Sequence, residues 1–343
     1  MNNEISINNT DDLINNIKHV IETARNSITI KINNELLMAY WEIGKEIVEF
    51  EQKGEDRAKY GKQLIKNISK ELTKELGKGF SVSNIQFMRR LYIKYQKQQT
   101  LSVKLNWSHY CELLLIEDDN ERSFYEKETL NANWSVRELK RQKEVALYQR
   151  LILSDGQANK EKVLKLAKKG QIIEKAQDII KDPYIFEFLG LKENKPILEK
   201  ELEYKLIKYL EDFLLELGKG FMFVGSQQRI TLGNVHHYVD MVFYNKILRC
   251  YVLIDLKVND LKIENAGQMN AYLNYYKNEV NDSDDSLPIG IILCANKNDV
   301  VAEYAIGGME NQIFVSKYSY YLPNKEQLEE EIKRLIDTER DEN

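Results

Sequence analysis

For its first 150 residues the chain repeats apolar positions every three or four residues, and after that it shifts to β-branched runs broken by turn pairs. In the first regime Leu13, Ile14, Ile17, Val20 and Ile21 form one set, and Leu36, Leu37, Tyr40, Ile43 and Ile47 a second. Both follow the i, i+3, i+4, i+7 spacing of an amphipathic helix and predict one helix each. A third helix is expected over 62–76, stopped by Gly77 and Gly79. A fourth comes next, with Ser81 or Ser83 as N-cap and Ile85, Met88, Leu91, Tyr92 and Tyr95 on its apolar side. Residues 106–152 supply two or three more, and Ser135 with Glu138 (S-x-x-E) makes a capping box that opens the last of them.

Beyond residue 197 the pattern changes. A helix over 198–217, ended by Gly218 and Gly220, precedes two apolar-rich runs joined by Gly233-Asn234, the signal of a β-hairpin. ILRCYVLIDLKV (247–258) has the composition of a central strand covered on both faces. A helix over 263–277, a strand over 289–295, a helix over 299–306 and a short strand over 312–316 complete an α-β-β-β-α-β order with an extra α-β. This order describes a mixed α/β domain with its own core. Between the two regimes, 156–170 is polar and lysine-rich, and Asp182-Pro183 and Lys195-Pro196 interrupt the stretch from there to residue 197. The expected organisation is a helical domain over 1–155, a connector over 156–196 and an α/β domain over 197–343. A chain of 343 residues is long enough for two such cores.

Charge refines the picture of the first domain. The formal net charge is −5, yet from Lys53 to Lys104 there are 13 Lys/Arg against 4 Asp/Glu, a local net of +9. Such a patch can steer a polyanion although the whole chain is acidic. Within it, residues 58–98 outline a helix-turn-helix, and Asn84, Arg89, Arg90, Lys94 and Lys97 fall largely outside the apolar stripe of its second helix. These side chains are candidates for phosphate contacts, against the plainer role of solvated lysines and arginines. Cys111, Cys250 and Cys294 are far apart, with neither disulfide nor zinc spacing, as in a reducing compartment. MNNEISINNTDDL lacks the regions of a signal peptide, and no apolar stretch approaches a membrane span. The expectation is a cytoplasmic protein without a membrane partner.

The candidate chemistry lies in the second regime. Asp240 stands between Val239 and Met241-Val242-Phe243, and Asp255 and Lys257 close an otherwise apolar run. A carboxylate removed from water without a partner costs several kcal/mol or becomes neutral. Strand alternation puts Asp255 and Lys257 on one face, Asp240 on an antiparallel neighbour can lie beside them, and Glu203 on the preceding helix adds a third acid. Hard oxygen ligands of this kind suit Mg²⁺, which takes one or two carboxylates and completes its shell with water and phosphate oxygens. Lys257 can then stabilise charge growing on phosphorus. Gln268 and Tyr272, at i and i+4, share one helix face and can point at the same place. The plain alternative is a strand-end ion pair worth under about 1 kcal/mol. There is no GxxxxGK[ST] loop to support an NTPase.

These residues together resemble a PD-(D/E)XK nuclease domain: Glu203 in the first helix, Val239-Asp240 for "PD", and Asp255-Leu256-Lys257 for "(D/E)XK". Val239 stands where proline names the motif. Gln268-x-x-x-Tyr272 resembles the Q-x-x-x-Y element of the RecB-like branch. The wording FLLELGKGFMFVGSQ, YVDMVFYN, LRCYVLIDLKV and AGQMNAYL is similar to the YhcG-like group. YWEIGKEI, GFSVSNIQFMRRLY and NWSVRELKRQ are similar to its accompanying N-terminal domain, so the resemblance spans nearly the whole chain.

The resemblance implies a restriction-endonuclease-like α/β fold and a nuclease that uses Mg²⁺, for which Mn²⁺ can substitute, acting on DNA. Its metal would be held by Asp240, Asp255, the Leu256 carbonyl and Glu203, with Glu201 and Glu199 as the neighbouring choices for that last acid. Gln227 belongs to the family-like wording and is a candidate for facing nucleic acid, whereas His236 and His237 point to opposite faces of a strand. Defence against foreign DNA or a role in mobile elements goes with the family. Homodimerisation stays an open option, and the rival reading is a non-catalytic nucleic-acid-binding or assembly protein on the same fold.

Overall fold

The computed structural model describes residues 7–53, 57–97, 101–102, 104–154, 158–191 and 197–341. Gly156, Lys195 and Pro196 of the expected connector, and the first six residues, lie outside them. The chain divides into two compact units, Met1–Arg122 and Ser123–Asn343.

In the first unit, α1 (Ile7–Lys53) is a single helix of 47 residues where two were expected. No glycine or proline lies between the two apolar sets, so nothing in the backbone chemistry ends the helix between them. Only its second half is packed. Leu37, Trp41, Ile47 and Val48 are buried, whereas Leu13, Ile14, Ile17, Val20 and Ile21 stay exposed.

α2 (Arg57–Leu76) and α3 (Val82–Lys94) are joined through Gly77 and Gly79, both at positive φ. Ser81, not Ser83, is the N-cap, its hydroxyl accepting from the Asn84 N–H at 3.2 Å. Ile85, Met88 and Leu91 are buried as their spacing requires. α1 and α3 meet backbone to backbone, because a Cβ at Gly44 would lie 2.1 Å from the Met88 carbonyl oxygen. Trp41 donates its indole N–H to the Tyr95 carbonyl at 2.6 Å, and Trp107, opening α4 (Trp107–Leu113), donates to Asn84 Oδ1 at 2.8 Å. Trp41 is buried and Trp107 half-buried, and both N–H groups are satisfied.

α5 (Asp119–Ala132) runs into the second unit, succeeded by α6 (Val136–Glu144), α7 (Leu147–Leu153) and α8 (Lys160–Lys169). The capping box at Ser135 is formed in both directions. α6 and α7 are tied to the α/β core by charge. Glu216, fully buried, receives Arg150 at 2.7 Å and Arg141 at 3.4 Å, and accepts the Ile185 N–H at 3.0 Å. Arg141 also pairs with Glu187 at 2.7 Å. Within the stretch expected as connector, Ala176, Ile179, Tyr184, Phe186 and Leu189 join the core, and β1 (Tyr184–Ile185) adds an edge strand.

The helix expected over 198–217 divides at Tyr209 into α9 (Glu199–Lys208) and α10 (Leu210–Leu217), which serve different strands. The sheet is completed by β2 (Phe221–Leu232), β3 (Val235–Asn245), β4 (Cys250–Asp260), β5 (Ile289–Asn296) and β6 (Gln312–Ser319). Its order is β1-β6-β5-β4-β3-β2, antiparallel from β2 to β4 and parallel from β4 to β1. Gly233 and Asn234 both have positive φ, the geometry of a two-residue hairpin turn.

α9 and α10 cover one face through Leu202, Leu206, Phe213 and Leu217. On the other face lie α11 (Ile263–Tyr275) and α12 (Asp299–Ile306), through Ala266, Met269, Leu273, Ala302 and Ala305. β4 is therefore covered on both faces, as its composition required. The mixed α/β class with a helical N-terminal region is the observed one. A last helix, α13 (Lys325–Asp341), packs on α7 and had no counterpart in the sequence expectations.

Candidate active site

Asp240 and Asp255 face each other at the point where two strands part. The β3–β4 ladder runs from Asn245↔Cys250 to Met241↔Ile254 and stops there. One step further, the Leu256 N–H donates to Asp240 Oδ2 at 2.8 Å, so a carboxylate takes the place of a ladder carbonyl. On β2 a bulge at Val224 sets the register that places Gln227 beside Asp240, and Gln227 itself has φ 48°. Its amide Nε2 donates to Glu203 Oε2 at 2.8 Å and to Asp240 Oδ1 at 3.2 Å, linking α9 to β3.

Asp255 is buried at 3 % exposure, and Lys257 Nζ stands 2.8 Å from its Oδ2. The contact is a short ion pair, and Oδ2 accepts from no other group. After Lys257 the β4–β5 register shifts, and the Tyr318 hydroxyl donates to the Lys257 carbonyl at 3.2 Å.

The electrostatics follow from burial. Loss of water raises the Asp255 pKa to about 6, with Lys257 pulling it down and Asp240 pushing it up. Asp240 and Glu203 are both raised, again chiefly by desolvation. Burial works against the Lys257 ammonium, yet Asp255 and Asp240 hold its pKa above the ordinary lysine value. Carboxylates with raised pKa values beside one ammonium form a site short of positive charge.

Whether these groups fit a metal can be judged from the same geometry. Among the described residues no three His, Cys, Asp or Glu side chains converge as a complete cage. A small hard cation does not need one, since it keeps water and substrate oxygens for most of its shell. The buried Asp255 Oδ2, whose one polar partner is the Lys257 ammonium, and the oxygen-only donor set fit such an ion.

Glu203, Gln227, Asp240, Asp255, Leu256 and Lys257 are thus gathered at one place. Tyr272 borders it, buried on α11, its raised pKa set by desolvation and then by the charges of Asp255 and Asp240, while exposed Gln268 hydrogen-bonds its hydroxyl. His237 packs against the Tyr272 ring, and His236 is occupied with Thr231 across the hairpin at 3.0 Å.

One neighbour was not singled out from sequence: Tyr318 comes from a strand more than sixty residues downstream. Glu199, one of the neighbouring choices for the helix acid, lies one turn before Glu203, and its charge is felt by Asp240, Asp255 and Lys257. The four basic candidates belong to the first unit. Arg89 pairs with Glu51 at 2.8 Å and Lys94 with Asp119 at 3.1 Å, while Arg90 and Lys97 are exposed.

A sheet with two acids and a lysine at its parted strands and a third acid on the helix before it is the arrangement of PDDEXK nucleases. Residues 177–333 match the YhcG PDDEXK nuclease domain, and residues 16–150 match the DUF1016 N-terminal domain. A protein of Escherichia coli (strain K12) named "Putative nuclease YhcG" is 38 % identical, over 93 % of this chain and 92 % of its own. The chain belongs to this YhcG family of PDDEXK nucleases. A repair endonuclease from Pyrococcus abyssi aligns over 37 % of this chain and 49 % of its own, at 18 % identity and a TM-score of 0.26, too slight a likeness to argue from.

Proposed function

We propose that the chain hydrolyses phosphodiester bonds in DNA with the help of a divalent cation, Mg²⁺ or in its place Mn²⁺. The observation that carries this reading is the half-buried Asp240 and buried Asp255 with Lys257 at the parted ends of β3 and β4, a site with more negative than positive charge. Asp240, Asp255, the Leu256 carbonyl and Glu203 would hold the ion. Bound there, it would supply Lewis-acid neutralisation of charge on the scissile phosphate.

The chain's own groups do the rest. Lys257 offers a preorganised ammonium to charge that develops on the phosphate oxygens. Gln227 fixes the separation of Glu203 and Asp240, and Tyr272 with Gln268 borders the place where the phosphate would lie. Arg89, Arg90, Lys94 and Lys97 offer a basic face for backbone phosphates, which sets affinity and not sequence choice. Defence against foreign DNA or a role in mobile elements accompanies this reading through the family alone.

The test is incubation of purified protein with linear, nicked, branched and single-stranded DNA, and with RNA, in Mg²⁺, Mn²⁺ or EDTA. Cleavage of DNA that disappears with EDTA and with Asp255→Asn is the expected result. Binding without cleavage of any substrate would favour the rival reading of a non-catalytic nucleic-acid-binding protein on this fold.

A further inference from the structure

The first half of α1 carries an apolar stripe that no described residue of its own unit covers. Leu13, Ile14, Ile17, Val20, Ile21 and Ile28 are 43–66 % exposed, although each is an apolar side chain of a regular helix. Most of a helix's stability in a protein comes from packing of its apolar face, so an uncovered apolar stripe calls for an occupant.

The stripe has a definite order. Ile14, Ile17, Ile21, Ala24 and Ile28 are spaced alternately three and four residues apart, the a/d seam of a coiled coil, and Leu13 and Val20 widen it on one side. Asn15, Asn16, His19, Glu22 and Thr23 make the opposite face polar. Continued at the same spacing, the seam meets Lys31 and Glu35 and ends. Just beyond, at Leu37, the helix begins to bury itself within its own unit. One helix is therefore divided into an outward seam and an inward one.

We propose that residues 13–28 of α1 pair with the same segment of a second copy of this chain, making the protein a dimer through an intermolecular coiled coil. Three features favour a second copy as the occupant. The seam holds no charge that would call for a complementary partner. It supplies both the branched knobs and, at Ala24, the small residue that admits them, so two identical helices satisfy one another in an isologous pair. At the observed exposures the six large side chains offer on the order of 600 Å² per helix, so a symmetric pair covers about 1,200 Å², the lower edge of specific interfaces. A seam of two heptads at that size gives a concentration-dependent dimer.

Sedimentation equilibrium of the full chain over a range of micromolar concentrations tests this. The expected mass is twice the 40.3 kDa of the chain, falling to one chain in Ile17→Asp/Ile21→Asp with the cooperative melt of the packed units retained. Ile21 is the midpoint of the seam, and in a parallel in-register pair its a position faces its own copy. Oxidation of Ile21→Cys in a Cys111→Ser background should therefore yield a disulfide-linked dimer, and His19→Cys on the outer face should not. A monomer at every concentration would overturn the proposal, even one that gains mass when another protein is added. So would a dimer that persists in the double variant, or equal cross-linking at positions 19 and 21.

Discussion

Asp255 concentrates the chemistry of the site in one side chain: a carboxylate with almost no solvent, whose Oδ2 has one ammonium at 2.8 Å. Without a metal this burial is a cost. Asp255→Asn should therefore stabilise the metal-free protein by on the order of 1 kcal/mol, measured as a raised denaturation midpoint in EDTA. The same variant should lose cleavage and most Mn²⁺ binding by calorimetry. A lowered midpoint would mean that the carboxylate is already fully compensated in the apo protein. Lys257 has the complementary place. Lys257→Met removes the cation nearest to Asp255, so Mn²⁺ affinity should hold or rise while turnover falls by roughly a hundredfold. If Mn²⁺ affinity collapsed together with turnover, the lysine would support the fold of the site and not the reaction.

At the scale of elements, the site depends on how closely α11 approaches the sheet. A Cβ at Gly290 on β5 would come within 2.6 Å of Met269 Cγ and 3.1 Å of Leu273 Cδ1, both on α11. Gly290→Ala should push that helix outward at a cost of about 1–3 kcal/mol. Tyr272 moves with the helix, so activity should drop beyond what the lost stability explains. Thermal melts and cleavage rates at a temperature well below both midpoints separate the two effects, and an unchanged melt would show that the helix is loosely seated. α6 and α7 pose the same question at the edge of the family match. The nuclease match begins at residue 177, but Arg141 and Arg150 lie upstream of it and Glu216 within it. A fragment over 177–343 leaves Glu216 buried without either arginine, a loss worth about 3–5 kcal/mol. It should aggregate or melt early, whereas 123–343 should be monodisperse with a sharp transition. Comparable melts for the two fragments would show the arginines to be dispensable.

For the whole molecule, the basic face of the first unit has a signature that local charge pairing modifies. Arg89 and Lys94 are engaged with Glu51 and Asp119, so the exposed Arg90 is the better probe of phosphate contact. With Arg90 replaced by Gln, in an Asp255→Asn background and in EDTA, the plot of log affinity against log salt should become shallower by about 0.9 on duplex DNA. Affinity should fall alike for unrelated sequences, because phosphates carry no base identity. An unchanged slope in fluorescence anisotropy titrations would remove this face from DNA binding.

Local chemistry was legible in the sequence wherever one stretch decides its own conformation. The hairpin at Gly233-Asn234, the capping box at Ser135, the seating of Ile85, Met88 and Leu91, and the doubly covered strand with Asp255 and Lys257 at its end all derive from periodicity, turn residues and alternation. What depends on distant partners was not. Spacing marks the apolar stripes of α1 but not which of them the chain buries, because an exposed and a covered stripe have the same period. Composition makes Arg89 and Lys94 solvent-facing cations, and only the approach of Glu51 and Asp119 turns them into ion pairs. The parting of β3 from β4 after Met241, the bulge that sets Gln227 between Glu203 and Asp240, and the reach of Tyr318 to Lys257 are decided by sheet register. The sequence names the acids and the lysine; their distances come from strands that meet only in the folded chain.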